Sequence, residues 1–168
     1  MDKSRFHYLV KTLSRTKRKD YENYVINAIW NRLDDHNVRP TSQWYVKNQQ
    51  GWYLIDLYFP QINFGVECDE AHHKSSQSDD ERRELTLIEV LSAANKLPYQ
   101  AFHIDVTLSF NEIEQKINEC VLRIKSIVKE RRQKGDFIEW SNIDLVDHFK
   151  DEQIIRVSDE LLFPTITD

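Results

Sequence analysis

Asp56 stands in the middle of Tyr53-Leu54-Ile55-Asp56-Leu57-Tyr58-Phe59, an aromatic and branched run that reads as a strand buried on both faces. A lone carboxylate there carries a desolvation penalty that something must offset. Pro60-Gln61-Ile62-Asn63 then turns the chain into a second strand, Phe64 to Asp69. With a tight hairpin centred on Gln61-Ile62, paired residue numbers sum to 123, as 61 and 62 do, and Asp56 falls opposite Glu67. Asp69, two residues further on, shares the face of Glu67. Three carboxylates therefore converge, and neither strand supplies a lysine to neutralise them. A hard divalent cation resolves the conflict. Carboxylate oxygens suit Mg²⁺, with Mn²⁺ as a substitute, and such an ion keeps waters for chemistry. In the opposing account the register slips by one and the acids point to solvent.

Other residues gather around this centre. Glu22 ends the apolar 4-3-4 stripe of Ile26, Ile29 and Leu33, so it either faces the acids or lies in a first helical turn and serves the helix dipole. His72 and His73 follow the acidic strand closely enough to move a proton, a role suited to the ordinary imidazole pKa. A zinc site of Cys68, His72 and His73 is disfavoured, because Cys68 alternates away from Glu67 and Asp69 and no second Cys/His pair follows. Two basic clusters, one holding Lys17, Arg18 and Lys19, the other running from Arg123 to Lys134, either track phosphates or are solvated faces.

The elements that must position these groups are legible from periodicity. Phe6, Leu9, Val10 and Leu13 mark a first helix, and a second runs from Asp20 to about Asp35. Arg39 to Lys47 reads as a strand that forms a meander with the two acidic ones. Ser78-Asp79-Asp80-Glu81 is a capping box opening a helix to about Asn95, with Leu85, Ile88 and Leu91 on one face. Tyr99 to Asp105 is a fourth strand. Ser109-Phe110-Asn111-Glu112 caps a long helix whose stripe is Phe110, Ile113, Ile117, Cys120, Val121, Ile124 and Ile127. The sum is an α/β fold, a mixed central sheet flanked by helices.

Composition bounds the class. A chain of 168 residues suffices for one domain with a real core. Its net charge of −5 is uneven: residues 1–135 hold 21 Lys/Arg against 19 Asp/Glu, and the remainder holds 2 against 9. Acidity is thus a property of the tail, and nucleic acid is not excluded as a partner of the rest. No apolar run approaches the ~18 residues of a membrane span, so a cytoplasmic protein without a membrane partner is expected. Cys68 and Cys120 are expected to stay reduced.

Ile55-Asp56-Leu57-Tyr58-Phe59-Pro60-Gln61 and Val66-Glu67-Cys68-Asp69-Glu70-Ala71-His72-His73 together resemble the PD-(D/E)XK nuclease superfamily. The closer likeness is to its very-short-patch-repair-like (Vsr-like) branch. In particular, the segments are similar to the cleavage domain of modification-dependent restriction endonucleases that cut DNA containing hydroxymethylcytosine. That resemblance implies a restriction-endonuclease-like fold and a Mg²⁺-dependent endonuclease acting on double-stranded DNA, working as a homodimer in a prokaryotic, phage or plasmid setting. It implies metal-binding acids at Asp56, Glu67 and Asp69, a catalytic histidine at His72 or His73, and an added acid at Glu22. Asp80, Arg83 and Glu84 match the segment opening the next helix. Asp69 stands where many members have Lys, which moves the base role toward the histidines.

The same resemblance implies a nuclease domain over residues 1–140. Residues 141–168 would then be a linker and the start of a modified-base-reading domain, in a truncated chain. Two other functions share these residues: a catalytically silent nuclease-like module for DNA binding or dimerisation, and a mismatch-nicking repair endonuclease.

Overall fold

The computed structural model describes residues 3–14, 19–48, 51–70 and 77–140. Helices α1 (Lys3–Leu13) and α2 (Asp20–Leu33) lead into strands β1 (Thr41–Asn48), β2 (Gly51–Phe59) and β3 (Phe64–Asp69). Helix α3 (Gln77–Ala94), strand β4 (Gln100–Asp105) and helix α4 (Phe110–Lys134) follow. The sheet order is β1-β2-β3-β4, antiparallel within the meander and parallel between β3 and β4. A parallel neighbour demands a crossover, and α3 provides it. The α/β architecture with a mixed sheet is therefore as expected.

Two apolar clusters divide the layers. On one face α1, α2 and α4 pack on Leu57, Phe59, Phe64, Val66 and Ile104. On the other, Leu87 and Leu91 of α3 meet Val46, Ile55, Tyr58 and Tyr99. Strand β2 is buried from both sides for this reason, which explains its nearly unbroken apolar run. The β2–β3 connection is a single turn of 3-10 helix, Pro60–Ile62, with Asn63 at φ 48 closing it. Asn63 is fully buried, and its amide donates to the Leu91 and Leu97 carbonyls, tying the turn to α3.

Helix α4 carries the capping box read from the sequence: Ser109 accepts from the Glu112 amide, and Glu112 accepts from the Ser109 amide. Its C-terminus is fixed by Arg132, which pairs with Asp35 and Glu139 and lies over the Phe137 ring. Trp140 is completely buried against Tyr8 and Trp30, and its amide donates to the Asn37 carbonyl.

Several expectations need correction. Strand β1 begins at Thr41, not Arg39, after the Arg39 amide has been taken by the Gln61 side chain. Phe6 and Val10 are exposed while Tyr8, Leu9 and Thr12 are buried, because α1 docks on β1 through the Tyr8 and Thr12 hydroxyls as well as through apolar contact. Helix α3 begins at Gln77, so Ser78 lies inside it rather than at the cap. That helix buries Leu87 and Leu91, leaving Leu85 and Ile88 outside. In α4, Phe110 sits in the first turn, 54% exposed beside the Tyr24 ring. Both cysteines are free, and among the described residues no helix is long and apolar enough to cross a membrane. The tail from 141 to 168 lies outside the described residues.

Gly65 shows how closely the sheet and α3 side fit. A Cβ built there would lie 2.9 Å from Cζ of Tyr99, a ring only 4% exposed, and nearer still to its hydroxyl. Gly65→Ala is therefore expected to destabilise the fold by about 1–3 kcal/mol through overpacking, read as a lowered urea midpoint with unchanged m-value.

Candidate active site

The β2–β3 ladder runs Phe59↔Phe64, Tyr58↔Gly65 and Leu57↔Val66, the register in which numbers sum to 123. Pairing stops there. Asp56, next in line toward Glu67, accepts the Cys68 amide on its Oδ2 at 2.8 Å. A side-chain carboxylate thus takes over an amide just past the last ladder pair. On the opposite edge of β2 the ladder to β1 also skips Asp56, because Gln43 has φ 51. Ile55 and Leu57, two residues apart, consequently pack into different cores. Asp56 occupies the point where β2 changes faces, so simple alternation does not describe it.

Glu67 and Asp69 do share a face, the one covered by α3. Glu67 is 7% exposed, and Arg83 of α3 approaches both its oxygens at 3.4–3.5 Å while donating to the Leu54 carbonyl at 2.8 Å. Asp69 is turned to His103 of β4, whose Nδ1 lies 3.2 Å from each carboxylate oxygen. His103 is the register partner of Glu67, and its Nε2 is 3.8 Å from Glu84.

Helix α2 brings the remaining acid. Glu22 lies in the first turn and is also buried, facing inward, so both readings of it hold at once. The Gln43 amide donates to Glu22 at 2.7 Å and to Asp56 at 3.3 Å, bridging the two carboxylates. Lys19 reaches Glu22 at 3.1 Å and Glu70 at 3.4 Å. Lys17, Arg18, His72 and His73 lie outside the described residues.

These groups line one cavity of about 850 Å³, which holds Asp56, Glu67, Asp69, Lys19, Arg83 and His103. Burial pushes the Asp56 carboxyl up to about 6, against the pull of the Cys68 amide. Burial likewise raises Glu67 to about 8, with Arg83 opposing and Asp56 adding to the rise. Burial disfavours the Lys19 charge, but Glu22 and Glu70 outweigh it and hold its pKa above the ordinary lysine value. Hydrogen bonding to Asp69 raises the His103 pKa against burial. Cys68 packs against the α2/α4 core, and burial drives its thiol far above the usual range, so it is no ready thiolate ligand.

Asp56, Glu67 and Asp69, expected to share one site, all line this cavity. Among the described residues no three His, Cys, Asp or Glu side chains are grouped so as to hold a metal ion. Asp69 is engaged by His103, and Asp56 and Glu67 are the two acids whose negative forms burial penalises most plainly. Two carboxylates are a fitting donor set for Mg²⁺, which commonly takes one or two and retains waters.

Sequence reading missed Gln43 and His103. Gln43 carried no signal, since a positive φ at a glutamine is not written in residue type. His103 could have been found from the β3–β4 register once the crossover was recognised. Arg83 had been noted only through resemblance.

A family model described as restriction endonuclease PvuRts1 I-like, N-terminal, matches residues 6–158. Among solved structures, the 5-hydroxymethylcytosine-specific restriction enzyme AbaSI superposes with a TM-score of 0.64 at 25% identity. The match covers 80% of this chain and 50% of that one, so the chain spans about half the length of that enzyme. No curated protein matches.

The pKa shifts set the sign of a pH effect. Both acids hold protons in the folded chain at pH values where the unfolded chain has released them, so folding binds protons and stability falls as pH rises. In EDTA the melting temperature should decline between about pH 4.5 and about pH 8. Glu67→Gln should flatten that decline; a variant melting curve that tracks the wild type at every pH would contradict the assignment.

Proposed function

The chain belongs to the PvuRts1 I-like N-terminal family of restriction endonucleases, and from this we propose that it is a Mg²⁺-dependent DNA endonuclease, the cleavage unit of a modification-dependent restriction enzyme. The observation that carries the reading is the meeting of Asp56 and Glu67 in one cavity, both desolvated and both oxygen donors. Residues 1–140 form the cleavage unit in this proposal. AbaSI is described as specific for 5-hydroxymethylcytosine, which makes hydroxymethylated duplex DNA the substrate to test first.

Asp56 and Glu67 would hold the ion. When bound, the divalent cation supplies charge for the scissile phosphate and acidifies a coordinated water. The chain's own residues do the rest. Cys68 N–H and Gln43 fix the Asp56 carboxylate in direction, and Arg83 restrains Glu67. Asp69, half exposed to the cavity and steadied by His103, offers an acceptor for a water proton. His72 and His73, three and four residues beyond Asp69, are proposed as the shuttle to the leaving oxygen. Lys19, 52% exposed at the rim, is placed to meet a phosphate. One site per chain and two strands to cut call for a two-fold pair of chains acting together.

Asp56→Asn and Glu67→Gln should each lower the rate of duplex cleavage by at least about 100-fold at saturating Mg²⁺, while leaving DNA affinity within about three-fold. Cleavage is to be followed on hydroxymethylated, unmodified and mismatched duplexes with purified protein. Undiminished cutting by both variants removes the metal assignment. Nicking confined to mismatched duplex would point to repair, and the absence of cutting on every duplex, despite tight binding, to a silent module.

A further inference from the structure

The outer halves of β1 and β2 form a two-stranded ribbon with two unlike faces. Its inner face, Trp44, Val46, Tyr53 and Ile55, packs into the cluster under α3. The other face carries Tyr45, Lys47, Trp52 and Leu54, registered as Tyr45↔Leu54 and Lys47↔Trp52. Trp52 is 61% exposed. Tyr45 stacks on one side of its ring, with centroids 5.9 Å apart and planes 21° apart, so the pair makes one rigid aromatic plate. Lys47 is exposed, and across the ladder it meets Trp52 rather than an acid.

Position gives this plate its meaning. Trp52 and Leu54 line the same cavity as Asp56 and Glu67, so the Trp52 end of the plate borders the acids' cavity. Trp52 precedes Asp56 by four residues, ~13 Å of extended strand. That length equals the rise of about four base pairs. A two-stranded ribbon also has the width that the DNA major groove admits. The cavity walls are acidic, so an approaching polyanion needs favourable contacts at the rim, and Lys47 with the aromatic plate offers both charge and apolar contact surface.

Resting on the nuclease reading, we propose that the outer face of the β1–β2 ribbon is a double-stranded DNA docking surface, with the Tyr45–Trp52 plate against sugars and base edges about four base pairs from the cut and Lys47 on a phosphate. The ribbon contributes affinity and placement. Chemistry stays with the acids.

Binding of a labelled duplex is measured by fluorescence anisotropy in EDTA, using the full 168-residue chain. Trp52→Ala is expected to weaken binding about ten-fold, as truncation of an aromatic interface anchor does, and Trp52→Phe to restore most of the loss. Lys47→Ala should reduce the slope of log Kd against log salt by about one, while Trp52→Ala leaves that slope unchanged. Melting temperatures of Trp52→Phe and Lys47→Ala identify any folding defect, and these two variants keep the test readable if Trp52→Ala unfolds. Wild-type affinity in Trp52→Ala, or a wild-type salt slope in Lys47→Ala, overturns the ribbon proposal even where Asp56→Asn has abolished cleavage. Conversely, undiminished cutting by both Asp56→Asn and Glu67→Gln removes the metal assignment but leaves these binding measurements, and the ribbon, standing.

Discussion

The hydrogen bond from the Cys68 amide to the Asp56 carboxylate is the contact on which the site depends. Buried amides must be paired, and beyond Leu57↔Val66 the β2–β3 ladder stops supplying partners. Asp56 meets that need with a side chain, so the strands can separate without leaving the amide bare. Asp56 and Glu67 both line the cavity beside this point. The carboxylate proposed to hold the ion is thus the one that satisfies this amide. An asparagine could keep the acceptor and lose the charge, which is why that substitution separates holding the ion from satisfying the amide.

Around this cavity the protein supplies its own partners for the acids. Lys19 serves Glu22 and Glu70, Arg83 serves Glu67, and His103 serves Asp69. Each comes from a different element, the start of α2, the helix α3 and the edge strand β4. The Arg83–Glu67 pair is the loose one, its distances at the long end of hydrogen bonding. Under the proposed function, the ion has only this loose partner to displace at Glu67. An ideal set of salt bridges would have closed the site instead.

Much of the fold was legible because it depends on short-range signals. The capping box of α4, the two-sided burial of β2 and the register of the hairpin follow from local residue types and spacing. The errors fell where docking geometry decides. Leu85 and Ile88 fit a helical stripe as well as Leu87 does, and only the seat of α3 on the sheet selects between them. The site was half legible. Glu67 and Asp69 on one face required alternation alone, whereas Asp56 sits at a change of faces, and the Asp69–His103 pair depends on a parallel register set across an 18-residue helix. Gln43 could not be read at all, since its contribution comes from a left-handed backbone conformation.

Trp140 acts as a peg. Its indole is sealed among Tyr8 and Trp30, and its amide is tied to Asn37, in the layer of α1 and α2 and not in that of α3. Whatever path the following residues take, it starts from a point anchored in the helical layer, on the other side of the sheet from Glu67 and Arg83. Residue 140 is held in that layer by two aromatic ring contacts and one backbone hydrogen bond. The anchor at Trp140 and the acids' cavity therefore lie on opposite faces of the sheet.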